Sequence, residues 1–144
     1  MSGAPPTQDA PDSRIGRVEL RIPNRAEWVA VARLTIAAIA NRLPFSVEDI
    51  EDLKLAIAEA CTTVIQAGEG DGTIDIICET DPAELRVHVR DERPGRADLF
   101  QERSESSGPE GLGVFLIQAL MDEVSHSADP RTGTELTMIK RVVA

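Results

Sequence analysis

Apolar residues recur at three- and four-residue steps along the middle of the chain, as Ile50, Leu53, Ile57, Ala60, Cys61 and Val64. A strand sends alternate residues to opposite faces, so this spacing serves only a helix that buries one stripe. Both ends of that helix are written in the sequence. Ser46 with Asp49 three residues later is a start signal, and the run GEGDG after Ala67 cannot continue the helix. Glu48, Asp49, Glu51 and Asp52 crowd its first turns, where the helix dipole favours acidic groups. Another side of the same helix carries a polar line. At about 100° per residue, Glu59, Thr63 and Gln66 fall within about 60° of arc, with Thr62 beside them. Such a line is either a solvated face or a polar wall turned towards a ligand.

A helix of this kind needs an apolar surface to lie on, and the flanking segments supply strands. RIGRVELRIP sets Val18, Leu20 and Ile22 against Arg17, Glu19 and Arg21, which predicts a strand over about residues 17–22, ended by Pro23. Asn24 with Glu27 reads as a capping box for a first helix reaching about Asn41, with Trp28, Val31, Leu34, Ile36 and Ile39 as its apolar face. After the central helix, TIDIICET and ELRVHVRD alternate, and the short DPA between them predicts an antiparallel hairpin. Residues 92–110 then hold only Leu99 and Phe100 as large apolar groups. A loop of that length is a lid, a binding loop or disordered. GLGVFLIQALMDEV predicts a third helix opening on two glycines, SHSADPRTG a turn, and TELTMIKRVV a last strand with Leu136 and Met138 inward. The expected fold is α+β, a two-layer sandwich with a mostly antiparallel sheet and helices on one face. Residues 15–144 are expected to form one domain and residues 1–14 a disordered tail.

Composition narrows the function classes. With one Trp, three Phe and no Tyr, the core must be built from Ile, Leu, Val, Ala and Met. Fifteen Lys and Arg against 25 Asp and Glu give a net charge of −10, which repels phosphate backbones and argues against direct nucleic-acid binding. The same charge suits either a basic partner protein or solubility alone. Cys61 and Cys78 read as small core residues in a reducing compartment. The richest apolar run, WVAVARLTIAAIA, contains Arg33 and is too short to span a bilayer. The N-terminal residues lack the apolar stretch of a signal peptide, so the expected location is the cytoplasm. His88 and His126 have no zinc-ligand spacing around them, and no serine stands in a hydrolase signature.

No phosphate-loop pattern of the G-x-x-x-x-G-K type is present, and Leu116 stands where a dinucleotide fingerprint wants its third glycine. Glycines at a helix start nevertheless expose backbone N–H groups at the positive end of a dipole, which suits an anion. The order of features is more specific than any one of them. A helix with Glu59 and Thr63 precedes a strand ending in Asp91, with Gly95 four residues later. The long loop follows, then Gly111 and Gly113 opening a helix, and Gly133 with Thr134 before the last strand.

That order resembles the GHKL ATPase superfamily, which shares the Bergerat ATP-binding fold with histidine kinases. Within it, the chain resembles the anti-sigma factor serine kinases of the RsbW type, most closely in NRLPFSVEDIEDLKLAIAEAC and GLGVFLIQALMDEV. The resemblance covers roughly residues 16–141. It implies that ATP and Mg²⁺ are cofactors and that Glu59 is a general base for the protein hydroxyl that attacks ATP. Asp91 would accept a hydrogen bond from the adenine amino group, Gly95 would follow it as a motif glycine, Gly111 and Gly113 would approach the phosphates, and Thr134 would close the adenine pocket. Residues 92–110 would be the ATP lid. The implied partners are a sigma factor and an anti-sigma antagonist, with a homodimer formed through the first strand and helix.

The sequence departs from the family pattern at three positions. Thr63 stands where an asparagine holds Mg²⁺, Arg93 replaces the first glycine after the adenine aspartate, and Glu110 sits where a lid-end glycine is common. Losing a magnesium ligand weakens charge neutralisation on a transferring phosphoryl group. Two expectations therefore stand side by side. One is an ATP-dependent serine kinase that also sequesters a sigma factor. The other is a partner-binding module of the same fold with nucleotide weakly bound or absent.

Overall fold

Strand β1 (Gly16–Pro23) pairs antiparallel with β2 (Thr73–Asp81), and β2 turns back into β3 (Glu84–Asp91). The computed structural model describes residues 16–101 and 112–143. The hairpin turn is set by Asp81, whose Oδ1 accepts from the backbone N–H groups of Ala83 at 2.7 Å and Glu84 at 3.0 Å. β3 pairs with β5 (Gly133–Arg141), and β4 (Glu123–Asp129) lies outside β5, giving the order β1-β2-β3-β5-β4 with every pairing antiparallel. Helices α1 (Val29–Ala40), α2 (Val47–Gln66) and α3 (Leu112–Leu120) complete the α+β sandwich, with α2 packed against both of the others. The tail expected over residues 1–14 lies outside the described residues. No described helix is long and apolar enough to cross a membrane.

The core is where the two periodicities meet. Ile74, Ile76 and Cys78 of β2, Leu85, Val87 and Val89 of β3, and Leu136 and Met138 of β5 face Leu53, Ala56, Ile57, Ala60, Cys61 and Val64 of α2 in one buried cluster. α2 starts at the expected capping box: the Asp49 N–H donates to Ser46 Oγ at 3.0 Å, and the Ser46 N–H donates to Asp49 Oδ2 at 3.3 Å. Both cysteines are free and buried, and burial pushes both thiols up to about 12, which leaves them inert packing groups. The opposite face of the sheet carries charge. His88 there places Nε2 at 3.0 Å from Glu79 Oε1 and Nδ1 at 2.9 Å from Glu135 Oε2, and its hydrogen bond holds the Glu79 carboxyl below the usual range.

Three local expectations are corrected. Asn24 does not cap α1. It is 1% exposed, and its Nδ2 donates to the carbonyls of Gly68 at 2.8 Å and Asp71 at 2.9 Å, pinning the GEGDG loop to the end of β1. α1 instead follows a 3₁₀ turn (Ala26–Trp28), and the Ala26 N–H donates to Glu69 Oε2 at 3.2 Å. α1 also buries a different stripe: Ala32, Ile36, Ile39 and Ala40 face inward, while Trp28 and Leu34 are 41% and 69% exposed. Leu34 lies two residues from Ile36, about 200° around the helix, so both cannot face α2. Finally, α3 ends at Leu120. Asp122 is captured by β5, with its N–H donating to the Ile139 carbonyl at 2.9 Å and its carboxylate accepting from the Arg141 N–H at 2.6 Å. Glu123 and Val124 therefore begin β4, which carries Ser125 to Asp129, expected as part of a turn, along β5.

The Asn24 amide gives a direct stability test. Asn24→Ala removes two hydrogen bonds from a buried group and is expected to cost about 2 kcal/mol. Glu27→Ala, which the capping reading would make equally harmful, should stay within about 0.5 kcal/mol of the native chain. Urea unfolding of the two variants checks this, and equal losses would contradict it.

Candidate functional site

The C-terminal half of α2, the first turn of α3 and the segment after β3 enclose a cleft of about 400 Å³. Thr63, Gln66, Gly95, Arg96, Asp98 and Val114 are among the residues that line it. The polar line of α2 is thus a cleft wall in its Thr63 and Gln66 members. Glu59 stands one turn before Thr63, and Gly113 of α3 comes near both. A Cβ built on Gly113 would lie 3.2 Å from Thr63 Oγ1 and 3.4 Å from Glu59 Oε1. Only glycine lets the α3 backbone approach both side chains so closely without a shift. Thr63 Oγ1 donates to the Glu59 carbonyl at 2.9 Å, which leaves its lone pairs as the outward-facing chemistry. None of the described residues donates a hydrogen bond to the Glu59 carboxylate.

Beside the cleft, the ends of β3 and β5 come together. Asp91 and Thr134 are partners in the sheet register, 0% and 1% exposed. Gly133 makes this approach possible. It has φ +108°, and a Cβ there would lie 2.1 Å from the Asp91 carbonyl oxygen. Thr134 Oγ1 donates to the Arg96 carbonyl at 2.6 Å, tying the segment after β3 to β5. Gly95, at φ +80°, has no atom of the described residues within 4 Å of a built Cβ and lines the cleft. Phe100, 0% exposed, anchors the same segment in the core.

Of the residues singled out from the sequence, Thr63 and Gly95 line the cleft, Glu59 and Gly113 meet beside it, and Asp91 and Thr134 form a buried pair that does not open into it. Gly111 and Glu110 lie outside the described residues, as does the rest of the expected lid beyond residue 101. Sequence reasoning missed Arg96. Its Nε is buried in the cleft wall without a hydrogen-bond partner among the described residues, a donor suited to an anionic oxygen. It also missed what Arg93 does. Asp91 Oδ1 accepts from the Arg93 N–H at 3.0 Å and Nε at 2.9 Å, and Oδ2 accepts from Nη2 at 2.7 Å. That pairing holds the guanidinium pKa above its ordinary value. The D-x-R spacing was the available signal, since a side chain two residues on can fold back over its own strand end.

Tested against a nucleotide with magnesium, the residues fit at one end. Gly113, the Arg96 donor and the Thr63 hydroxyl suit phosphates and a hydrated cation. No cluster of three or more metal-binding side chains occurs among the described residues, but magnesium held by phosphate oxygens and water needs only one or two protein ligands. The other end departs from the fit, because both oxygens of Asp91 already serve Arg93.

An antiparallel sheet under three helices, with a glycine-opened helix beside a carboxylate-bearing one, defines a nucleotide-type cleft in a two-layer sandwich. Residues 22–140 match the histidine kinase-like ATPase domain. The chain is 38% identical over 125 residues to the serine-protein kinase RsbW of Bacillus cereus, covering 77% of each chain. It shows the same identity and coverage to the serine-protein kinase RsbW of Bacillus thuringiensis. The chain belongs to the histidine kinase-like ATPase family, in the branch of the RsbW serine-protein kinases.

Proposed function

We propose that this chain is a cytoplasmic anti-sigma factor with ATP-dependent protein serine kinase activity, which binds a sigma factor and phosphorylates an anti-sigma antagonist. The observation that carries the reading is the meeting of Glu59 and Thr63 with Gly113 beside the cleft. Backbone N–H groups at the start of α3 would hold the phosphates, with Gly95 at the border and Asp91 and Thr134 at the base end. Bound ATP would supply the phosphoryl group to be transferred. Glu59 is the residue placed to take the proton of an incoming serine hydroxyl. Thr63 would reach Mg²⁺ through its hydroxyl, directly or through water. The net charge of −10 suits a basic surface on a partner.

The chain's exposed apolar residues support a homodimer through β1 and α1. Val18, Trp28 and Leu34 are 42%, 41% and 69% exposed on or beside those elements. Sedimentation at twice the 15.6 kDa chain mass is the expected result, and a monomer at micromolar concentration contradicts it.

One observation favours the second reading, a partner-binding module with little nucleotide affinity: Arg93 engages the carboxylate that adenine would need. The two readings separate on Glu59→Ala. The kinase reading predicts at least about a 100-fold loss of phosphoryl transfer from ATP to a serine of the cognate antagonist. Sigma-factor binding should stay at the native level. Native-level transfer in that variant removes Glu59 from the mechanism, and no transfer by the native chain favours the binding module.

A further inference from the structure

We propose that Arg93 is a built-in occupant of the base end of the site, so that a nucleotide binds through its phosphates with little choice between adenine and guanine. The inference rests on the nucleotide reading given above and concerns which part of the nucleotide is recognised.

Asp91 is 0% exposed, and a buried carboxylate must be paired and hydrogen-bonded. It takes three hydrogen bonds from one residue: the Arg93 N–H and Nε on Oδ1, and Nη2 on Oδ2. Two of them come from a side-chain fork that holds both oxygens at once, the geometry in which guanidinium and carboxylate bind most strongly.

Arg93 is held from its other side as well. Nη1 donates to the Gly68 carbonyl at 3.0 Å and Nη2 to the Val64 carbonyl at 3.3 Å. Val64 lies in the last turn of α2, where carbonyls carry the negative end of the helix dipole. The GEGDG loop is shaped around the arginine. A Cβ on Gly68 would lie 2.6 Å from Arg93 Nη1, and one on Gly72 would lie 3.4 Å from Arg93 Cδ. The side chain is 11% exposed. This is a packed part of the structure, joining β3, the end of α2 and the loop.

An exocyclic amino group offers Asp91 a hydrogen bond from one neutral donor. To accept it in the usual way, the carboxylate must give up a charged fork that is also bonded to two carbonyls. A nucleotide that leaves Arg93 in place keeps those bonds and forgoes the base contact. Affinity then comes from the phosphate end, where Arg96 and the start of α3 face the cleft, and phosphates carry no information about the base.

Calorimetry with MgATP, MgGTP and magnesium tripolyphosphate, on the native chain, Arg93→Gly and Arg93→Gln, tests this. The native chain should bind ATP and GTP within about three-fold of each other, since a single unread hydrogen bond is worth little more. Freeing Asp91 for a charge-assisted hydrogen bond in Arg93→Gly should tighten ATP by about ten-fold or more relative to GTP. The same variant should melt at a lower temperature without nucleotide and gain more from ATP than the native chain does. If Arg93→Gly fails to fold, Arg93→Gln, which keeps an amide donor beside Asp91, carries the comparison and should shift the ATP:GTP ratio in the same direction. A native preference for ATP of about ten-fold or more, or a ratio unchanged in the folded variants, overturns the inference alone. No binding of any of the three ligands to any of the proteins overturns it together with the nucleotide reading.

Discussion

Burying the Asp91 carboxylate is the constraint on which the site end of this fold depends. A charge with no solvent exposure at the end of a strand needs compensation, and Arg93 supplies it with a fork of hydrogen bonds. Because the same guanidinium also reaches Gly68 and Val64, the pairing joins the end of β3 to the last turn of α2 and to the loop that leads into β2. Asn24 pins that loop from the β1 side, through the carbonyls of Gly68 and Asp71. Gly133 lets β5 pass close against Asp91, which sets Thr134 beside it and ties Arg96 down. The polar junction, through Arg96, and the contact of α2 with Gly113 thus both lie next to the cleft.

Helix α2 links that junction to the chemistry. One stripe of the helix, Leu53 through Val64, is pressed onto the sheet, which fixes the rotation of the helix. That rotation in turn aims Thr63 and Gln66 into the cleft and brings Glu59 beside the start of α3. The polar line is therefore partly a cleft wall, as its arc on the helix suggested, and the packing of the opposite stripe is what holds it there. Mutations deep in the core at Ile57 or Val64 would act on the site through that rotation.

Much of this was legible because it is local. The capping box of Ser46 and Asp49, the apolar stripe of α2 and the β2–β3 hairpin all depend on residues within a turn or two of each other. What escaped depends on partners distant in sequence. Asn24 followed three residues later by Glu27 carries a helix-cap signal, yet the amide bonds 44 and 47 residues away, a choice that no local spacing records. The residues Asp122–Val124 continue the helical pattern of α3, but pairing with β5 outweighs that preference. Residue type alone favours Leu34 inward, whereas the residues α1 buries include the small Ala32 and Ala40. At the site, Glu59, Thr63, Gly113, Asp91 and Thr134 were all visible as a pattern. Arg93 was visible only as a departure, and its meaning lies in the bonds it makes.

The central claim is that the cleft between α2, α3 and the segment after β3 receives the phosphates of a nucleotide. Titrating the isotope-labelled chain with MgATP and following its backbone amide resonances tests this most directly. Saturable shifts concentrated at Thr63, Gly95, Arg96, Gly113 and Val114 are expected, with His88 and its neighbours on the opposite sheet face unmoved. Shifts confined to that outer face, or none at millimolar MgATP, would contradict it.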